Sequence, residues 1–365
     1  MDVKEARISN KQFKYIVALF LQGTLLYVTY FLQKGGRDTY IMIILAALCG
    51  MLIACMNSGF TKMYPGGDLA TIFCHVFGKV IGKIFCVIYA AFFLYLCAVN
   101  LRQTGQFVAT NLLSDQSWIL IAVVFTVVCI YAAKNGPGFF SYIGAIGCFF
   151  LLFMSAVLLL CVLPHMNGEH FMPAMVQSPA TYADSLIFIT AVPFSEIFML
   201  LMFSPYVKGG IKKGSYIKGI TIATIFIVAS VVRIIAVFGP LIKSFSYPSF
   251  EIIYVINFGS SLSRLESFFS PSIIFALFIR VSIMLFCVTK LTISVVGEKR
   301  RLADYMAYIV SALLLILTVY IADSNEKLLE IMLNYVGYVT FVMLVVLPAV
   351  IYIIAKVKNK KKSVT

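Results

Sequence analysis

Apolar runs of about 20 residues, separated by short polar or basic stretches, repeat along the chain from residue 15 onward. Ten can be traced, at 15–32, 40–60, 84–108, 117–133, 139–163, 185–206, 216–241, 268–291, 305–322 and 331–355. A helix of that length crosses a hydrocarbon core of roughly 30 Å. The pattern predicts an all-α polytopic membrane protein with ten transmembrane helices. Little chain is left for anything else, so residues 1–365 read as one integral membrane domain ending in a basic tail at 356–365.

The connecting stretches carry their own signals. Lys62-Met-Tyr-Pro-Gly-Gly-Asp-Leu69 is a cluster of turn formers, and Leu69 to Lys79 places apolar residues at helical spacing beside a polar face that includes His75. Asp68 stands where an N-cap acceptor is wanted, so a short amphipathic helix in the cytoplasmic interface is expected. Pro164 to Asp184 has no Lys or Arg and reads as an outer loop. Lys243 to Ser267 is the longest outer segment, with a helix expected over Phe250–Phe258 across the outer face.

Composition sharpens this. A chain that is 61% hydrophobic and 12% charged, with mean hydropathy +0.98, is not a soluble globular domain. The formal charge of +14 suggests a nucleic-acid partner until its placement is considered. With ten spans, 21 of the 29 basic residues fall on one side: four before span one, then Lys62, Lys79 and Lys83, Lys134, the Lys208–Lys218 group, the Lys290–Arg301 group and the terminal lysines. The positive-inside rule makes that side cytoplasmic, with both termini on it. The excess then marks topology and contact with anionic lipid, and no nucleic acid is expected. The hydrophilic N-terminus MDVKEARISNKQFK lacks the apolar core of a signal peptide, which leaves the first span as the targeting signal. Nine cysteines, mostly inside spans and without a CxxC pair, read as reduced packing residues.

Two spans are interrupted near their middles. Span one contains Gln22-Gly-Thr24 and span six contains Val192-Pro-Phe-Ser-Glu196. A break in the first span of each five-span half is the signature of a 5+5 inverted-repeat, LeuT-like fold with discontinuous helices one and six. The first repeat then covers about 15–163, and the second covers about 185–322 and is completed by 331–355. Candidate ligand-binding residues are those at the breaks: Gln22, Gly23, Thr24, Pro193, Phe194, Ser195 and Glu196. Gly23, between two polar residues, is expected to mark unwound backbone.

Ionisable groups at this depth are expensive and rarely idle. Glu196 is either a structural carboxylate capping a broken helix or a ligand or coupling group. Arg280, twelve residues into span eight, either pairs with Glu196 or faces a wet cavity and meets a carboxylate ligand. Arg233 is expected to snorkel to the outer interface. Asn100 and Arg102 line an access path or anchor an interface. His165, Glu169 and His170 lie on a Pro/Gly-broken loop without helical ligand spacing, so no metal is expected there. No nucleophile elbow, phosphate loop or metalloprotease helix is present in the sequence, and neither enzyme activity nor a cofactor is expected.

An ordered set of short matches resembles the spore germination B-subunit family (GerAB/GerKB type), within the amino acid–polyamine–organocation transporter superfamily. The set runs from Ile8-Ser-Asn-Lys-Gln-Phe13 and Gln22-Gly-Thr24, through Tyr64-Pro-Gly-Gly-Asp-Leu69, Gly78 with Gly82-Lys83, and Asn100-Leu-Arg102 with Leu112-Leu113. It continues with Tyr131-Ala-Ala-Lys-Asn-Gly136, Phe194-Ser-Glu196, Pro205-Tyr-Val-Lys208 and Arg264-Leu-Glu-Ser-Phe268, covering nearly the whole chain. Two stretches depart from the family's pattern: Pro137-Gly-Phe-Phe-Ser-Tyr142, and Pro193 and Ser195 around the second break. The resemblance implies a nutrient-sensing subunit of a germinant receptor in the spore inner membrane. It would bind a small germinant, typically an amino acid, beside an A-type membrane subunit and a C-type lipoprotein. The alternative is a stand-alone proton- or cation-coupled amino-acid transporter with Glu196 as coupling group; a third reading is a membrane scaffold with a degenerate pocket.

Overall fold

The computed structural model describes residues 7–256, 265–297 and 300–362. Lys4, Lys299, Arg264 and the end of the expected outer helix, Asn257 and Phe258, lie outside the described residues. The described chain is helical apart from one isolated bridge, in which Ile8 pairs in parallel with Val207. Ile8 N–H donates to the Tyr206 carbonyl at 2.8 Å, and Lys208 N–H donates to the Ile8 carbonyl at 2.9 Å. The next residue, Ser9, caps the first helix: its hydroxyl accepts from Gln12 N–H while Gln12 Oε1 accepts from Ser9 N–H. This reciprocal box satisfies donors that a helix start otherwise leaves open.

Helix α1 (Asn10–Gln22) is followed by a one-turn 3₁₀ segment (Leu25–Tyr27) and α2 (Val28–Gly35). The chain reverses at Gly36 (φ +56°) into α3 (Thr39–Met63). Asp68 caps α4 (Leu69–Phe77) by accepting from Thr71 N–H at 2.8 Å, and α4 ends at Phe77, two residues before the expected limit, with Gly78 as its C-cap. Helix α5 (Lys79–Asn111) leads to α6 (Trp118–Val162). At 45 residues α6 would be about 68 Å long if straight, but Gly136 (φ 62°, ψ −148°) and Pro137 break it between the stretches expected as spans four and five. Helix α7 (Pro179–Ala191) continues into a 3₁₀ run at Phe194–Tyr206, and α8 spans Lys213–Phe238.

The expected outer helix at 250–258 is instead a single turn, α9 (Pro248–Glu251), closed by a 3₁₀ turn at Ile252–Val255. Pro248 pre-sets that first turn. Then come α10 (Leu265–Val296), α11 (Arg300–Tyr320) and a final helical run of α12 (Asn325–Ile331), α13 (Gly337–Phe341) and α14 (Leu347–Lys362), joined by π-helical turns.

Among the described residues seven helical runs are long and apolar enough to cross a membrane, and Tyr305–Tyr320 is a shorter apolar helix. Burial sorts the runs into inner and outer layers. The most apolar window of Pro179–Tyr206 is 89% buried and that of Glu266–Val296 is 83% buried, against 28% for Trp118–His165 and for Asn325–Lys360. The core is therefore built around α7 with its 3₁₀ extension and α10. Helix α1 packs between α6, α8 and α10, while α3 and α5 close the sides. The outer runs keep apolar faces uncovered, such as Val124, Val127 and Val128 on α6, as lipid-facing helices do.

A side chain at Gly136 would meet the strain of a backbone region that is essentially glycine-only, at about 1–3 kcal/mol. Gly136→Ala should therefore lower the melting temperature of the purified protein in detergent by a few degrees. An unchanged melting curve would show that the turn between the two parts of α6 does not need glycine.

Candidate functional site

The two interrupted helices meet in the core. At the first break, Gly23 N–H donates to the Leu19 carbonyl at 3.1 Å, and the Thr24 hydroxyl donates to the Leu21 carbonyl at 2.5 Å. Gly23 has φ −67° and ψ 6°, so the break is a tightened turn and not the unwound backbone expected from the sequence. Glycine is required there for another reason. A Cβ on Gly23 would stand 2.5 Å from Arg280 Cβ and 2.8 Å from the Ala276 carbonyl oxygen of α10. The absent side chain is what lets α10 approach.

At the second break, α7 stops at Ala191, Val192 is extended and the Val192–Pro193 bond is cis. Pro193 has no N–H to offer the preceding turn. The Ser195 hydroxyl takes over part of that duty by donating to the Ala191 carbonyl at 2.7 Å. Glu196 then lies in the first turn of the 3₁₀ run, where negative charge is favoured.

Arg280 joins the two breaks. Its Nη2 donates to Glu196 Oε2 at 2.5 Å, Nη1 to the Phe20 carbonyl in the last turn of α1 at 3.1 Å, and Nε to Asn100 Oδ1 on α5 at 2.7 Å. Its guanidinium carbon also lies 5.0 Å from the Phe20 ring centre and 5.3 Å from that of Tyr27. A cation at the end of α1 and an anion at the start of the 3₁₀ run each complement the local helix dipole. Both side chains are fully buried. Among the described residues the other Glu196 oxygen, Oε1, and both amide atoms of Gln22 have no hydrogen-bond partner, although the Gln22 amide lies beside the Cys148 thiol.

All eight expected site residues are buried. The structure brings Gly23, Glu196 and Arg280 into one cluster. Thr24 and Ser195 spend their hydroxyls on nearby carbonyls, and Phe194 packs against Gly50 of α3. Asn100 belongs to the cluster rather than to an access path. It was visible in the sequence as the start of a polar run, Asn-Leu-Arg-Gln-Thr at 100–104, in an otherwise apolar span. Of two further arginines, one departs from expectation. Arg233 does not snorkel: it is 3% exposed and donates to the Ser155 carbonyl at 3.1 Å. Arg102 is also buried and stacks on Trp118, its guanidinium carbon 3.4 Å from the ring centre. His170 is engaged with the Ala236 carbonyl at 2.8 Å, and all nine cysteines are free.

A cavity of about 260 Å³ lies beyond the cluster, lined by Thr29, Tyr30, Gln103, Lys243, Tyr247 and Glu326 among others. Gln103 Nε2 donates to the Tyr30 hydroxyl at 2.9 Å, and the Tyr30 ring centre is 5.8 Å from that of Tyr27. Tyr27 thus separates this cavity from Arg280. Burial pushes the Tyr247 phenol up to about 12, against the opposing pull of Arg102, so its hydroxyl stays neutral.

A profile described as spore germination protein matches residues 7–327. The chain belongs to the spore germination protein family. Within that family it is similar to spore germination protein KB of Bacillus subtilis (strain 168), 24% identical over 366 residues that cover 99% of this chain and 97% of the relative. It is also similar to spore germination protein XB of Bacillus anthracis, 23% identical over 273 residues, or 74% of this chain and 76% of the relative. Among solved structures, Mhp1, a nucleobase-cation-symport-1 family transporter held closed with bromovinylhydantoin bound, superposes with TM-score 0.71 at 11% identity. That match covers 95% of this chain and 78% of Mhp1. A manganese transporter of Eremococcus coleocola gives 0.55 at 13% identity, over 98% and 85%. These likenesses give this family member the LeuT-like transporter fold.

Removing one partner of a buried ion pair strands the other, at about 3–5 kcal/mol. Glu196→Gln and Arg280→Met should each lower the melting temperature markedly, and the double variant should be more stable than either single one. Strictly additive losses would show that the two charges are not coupled.

Proposed function

We propose that this chain is the ligand-sensing membrane subunit of a spore germinant receptor and binds a small zwitterionic nutrient, an amino acid, where the two breaks meet. The observation that carries the reading is the buried Glu196–Arg280 pair, which ties the end of α1 to the start of the 3₁₀ run while Glu196 Oε1 stays unpartnered. Unsatisfied polar atoms in a dry core are costly, and a ligand carrying both charges would relieve them. Its carboxylate would take the N-terminal end of Phe194–Tyr206, with Arg280 beside it. Its ammonium would face Glu196 and the carbonyls that end α1.

The chain is read as ten crossings in a 5+5 inverted repeat. The reversals at Gly36 and Gly136–Pro137 support this count, because they divide helical runs of 54 and 48 residues that are too long for single crossings. The excess of basic residues on one side supports a cytoplasmic location for both termini, and family membership supports the spore inner membrane. The cavity at Tyr30 and Gln103 is then the outer approach. In this reading Tyr27 and Tyr30 must move before a nutrient reaches Arg280.

Signalling follows from linkage. A nutrient can shift the receptor only by its differential affinity for two conformations. The element it would bias is the Arg280 cross-link between the broken helices, and an A-type membrane subunit and a C-type lipoprotein would receive the change. The second reading, a proton- or cation-coupled amino-acid transporter, is favoured by one observation: the solved neighbours are transporters. The same exchange of contacts would then open the opposite face.

Binding to the purified protein should be measured across a panel of amino acids, with Glu196→Gln expected to weaken the preferred ligand at least tenfold. Wild-type affinity and a wild-type germination dose-response in Glu196→Gln would sink the site. Substrate-driven uptake by the purified chain alone in liposomes would decide for the transporter.

A further inference from the structure

A second buried arginine stands without a counter-ion. Arg233, on α8, has no carboxylate within ion-pair distance among the described residues, where the ion pairs are Lys34–Asp184 and Arg280–Glu196. The stretch 257–264, outside the described residues, contains no Asp or Glu. Arg233 lines a cavity of about 30 Å³ between α6, α8, α9 and α10, together with Ser155, Ser230, Ser249, Ser272 and Leu25. A cavity of that size holds about one water-sized occupant.

The polar atoms around it form an unbalanced set. Ser249 donates to the Leu25 carbonyl at 3.2 Å and Ser272 to the Phe269 carbonyl at 2.6 Å, so those two hydroxyls are spent. Ser155 and Ser230 instead accept from Arg233, at 3.5 Å from Nη1 and 3.4 Å from Nη2. An accepting hydroxyl still has its own hydrogen to give. Arg233 Nε–H has no partner. The cavity wall therefore offers four spare donors, the two hydroxyl hydrogens, Nε–H and the second Nη2 hydrogen; it carries one full positive charge and contributes no negative charge. A lone buried guanidinium is costly, and a neutral water would satisfy the donors but leave the charge.

We propose that the cavity beside Arg233 binds one small monovalent anion of chloride size, held by Arg233, Ser155 and Ser230. The site is separate from the Glu196–Arg280 cluster but shares a wall with the first break, because Leu25 follows Thr24 directly and its carbonyl is held by Ser249. Occupancy would thus brace the turn at Gly23–Thr24 through Ser249 and the Leu25 carbonyl.

The test uses the full chain purified in detergent, with sodium gluconate replaced by chloride or bromide at constant ionic strength. The melting temperature should rise and saturate with halide, and crystals grown in bromide should show anomalous density in the cavity. Arg233→Met should lose the halide dependence. Should that variant not fold, Ser230→Ala should raise the half-saturating bromide concentration about tenfold, the effect of losing one hydrogen bond to a charged partner. The proposal is overturned by a wild-type melting temperature indifferent to halide, by water alone in the cavity, by saturable halide stabilisation that survives in Arg233→Met, or by an unchanged half-saturating bromide concentration in Ser230→Ala.

Discussion

A guanidinium and a carboxylate taken out of water together lose several kcal/mol of hydration each, and their attraction repays this only when the geometry is close and the remaining hydrogen-bonding positions are filled. Arg280 and Glu196 meet the first condition fully and the second on one side only. The guanidinium is engaged by Glu196, Phe20 and Asn100, whereas the carboxylate has one oxygen without a partner. Arg280 holds α1, α5 and the 3₁₀ run in register around α10. The side chain lies where two helices are broken, so it joins segments that have no continuous backbone hydrogen bonding of their own. The inner layer of the fold is organised on this cross-link.

The breaks survive in a lipid-facing protein because their loose ends are served locally. Thr24 and Ser195 return hydroxyl hydrogens to carbonyls three or four residues back, and Asn57 of α3 donates to the Ile197 carbonyl at 3.2 Å. No bilayer could supply such partners. The surrounding helices therefore do more than fill space: α3, α5 and α10 each place a polar atom or a bare backbone against an interrupted one. The polar cluster thus sits inside a buried core that is itself mostly apolar, and the outer layer is apolar as well because the solvent on the outside is lipid.

Much of this was legible in the sequence. Apolar run length located the helices, and the two interruptions and the mid-span charges pointed to the cluster before any geometry was known. The family resemblance, carried by short motifs, agrees with the profile match over residues 7–327. What the sequence could not show was how side chains chose between neighbours of equal hydropathy. Arg233 was expected to reach the outer interface, yet it is held inside the bundle by serines, while Arg280 meets a carboxylate. Gly23 was noticed for the right position and the wrong reason, since a close interhelical approach and a backbone break leave the same single-residue mark. Asn100 was left between an access path and an interface anchor because its helix face could not be fixed against α10 from periodicity alone.

The 3₁₀ run from Phe194 to Tyr206 is thirteen residues long, far beyond the three or four that this tight helix usually sustains. It is an extended spring: at about 2.0 Å per residue it is roughly 6 Å longer than the same residues wound as an α-helix. Relaxation of that length would draw its far end along the bundle axis by about one helical turn. That end is Tyr206–Lys208, which is knotted by two backbone hydrogen bonds to Ile8. The run thus joins Glu196 at one end to the N-terminal strap at Ile8 at the other through thirteen residues of tight helix.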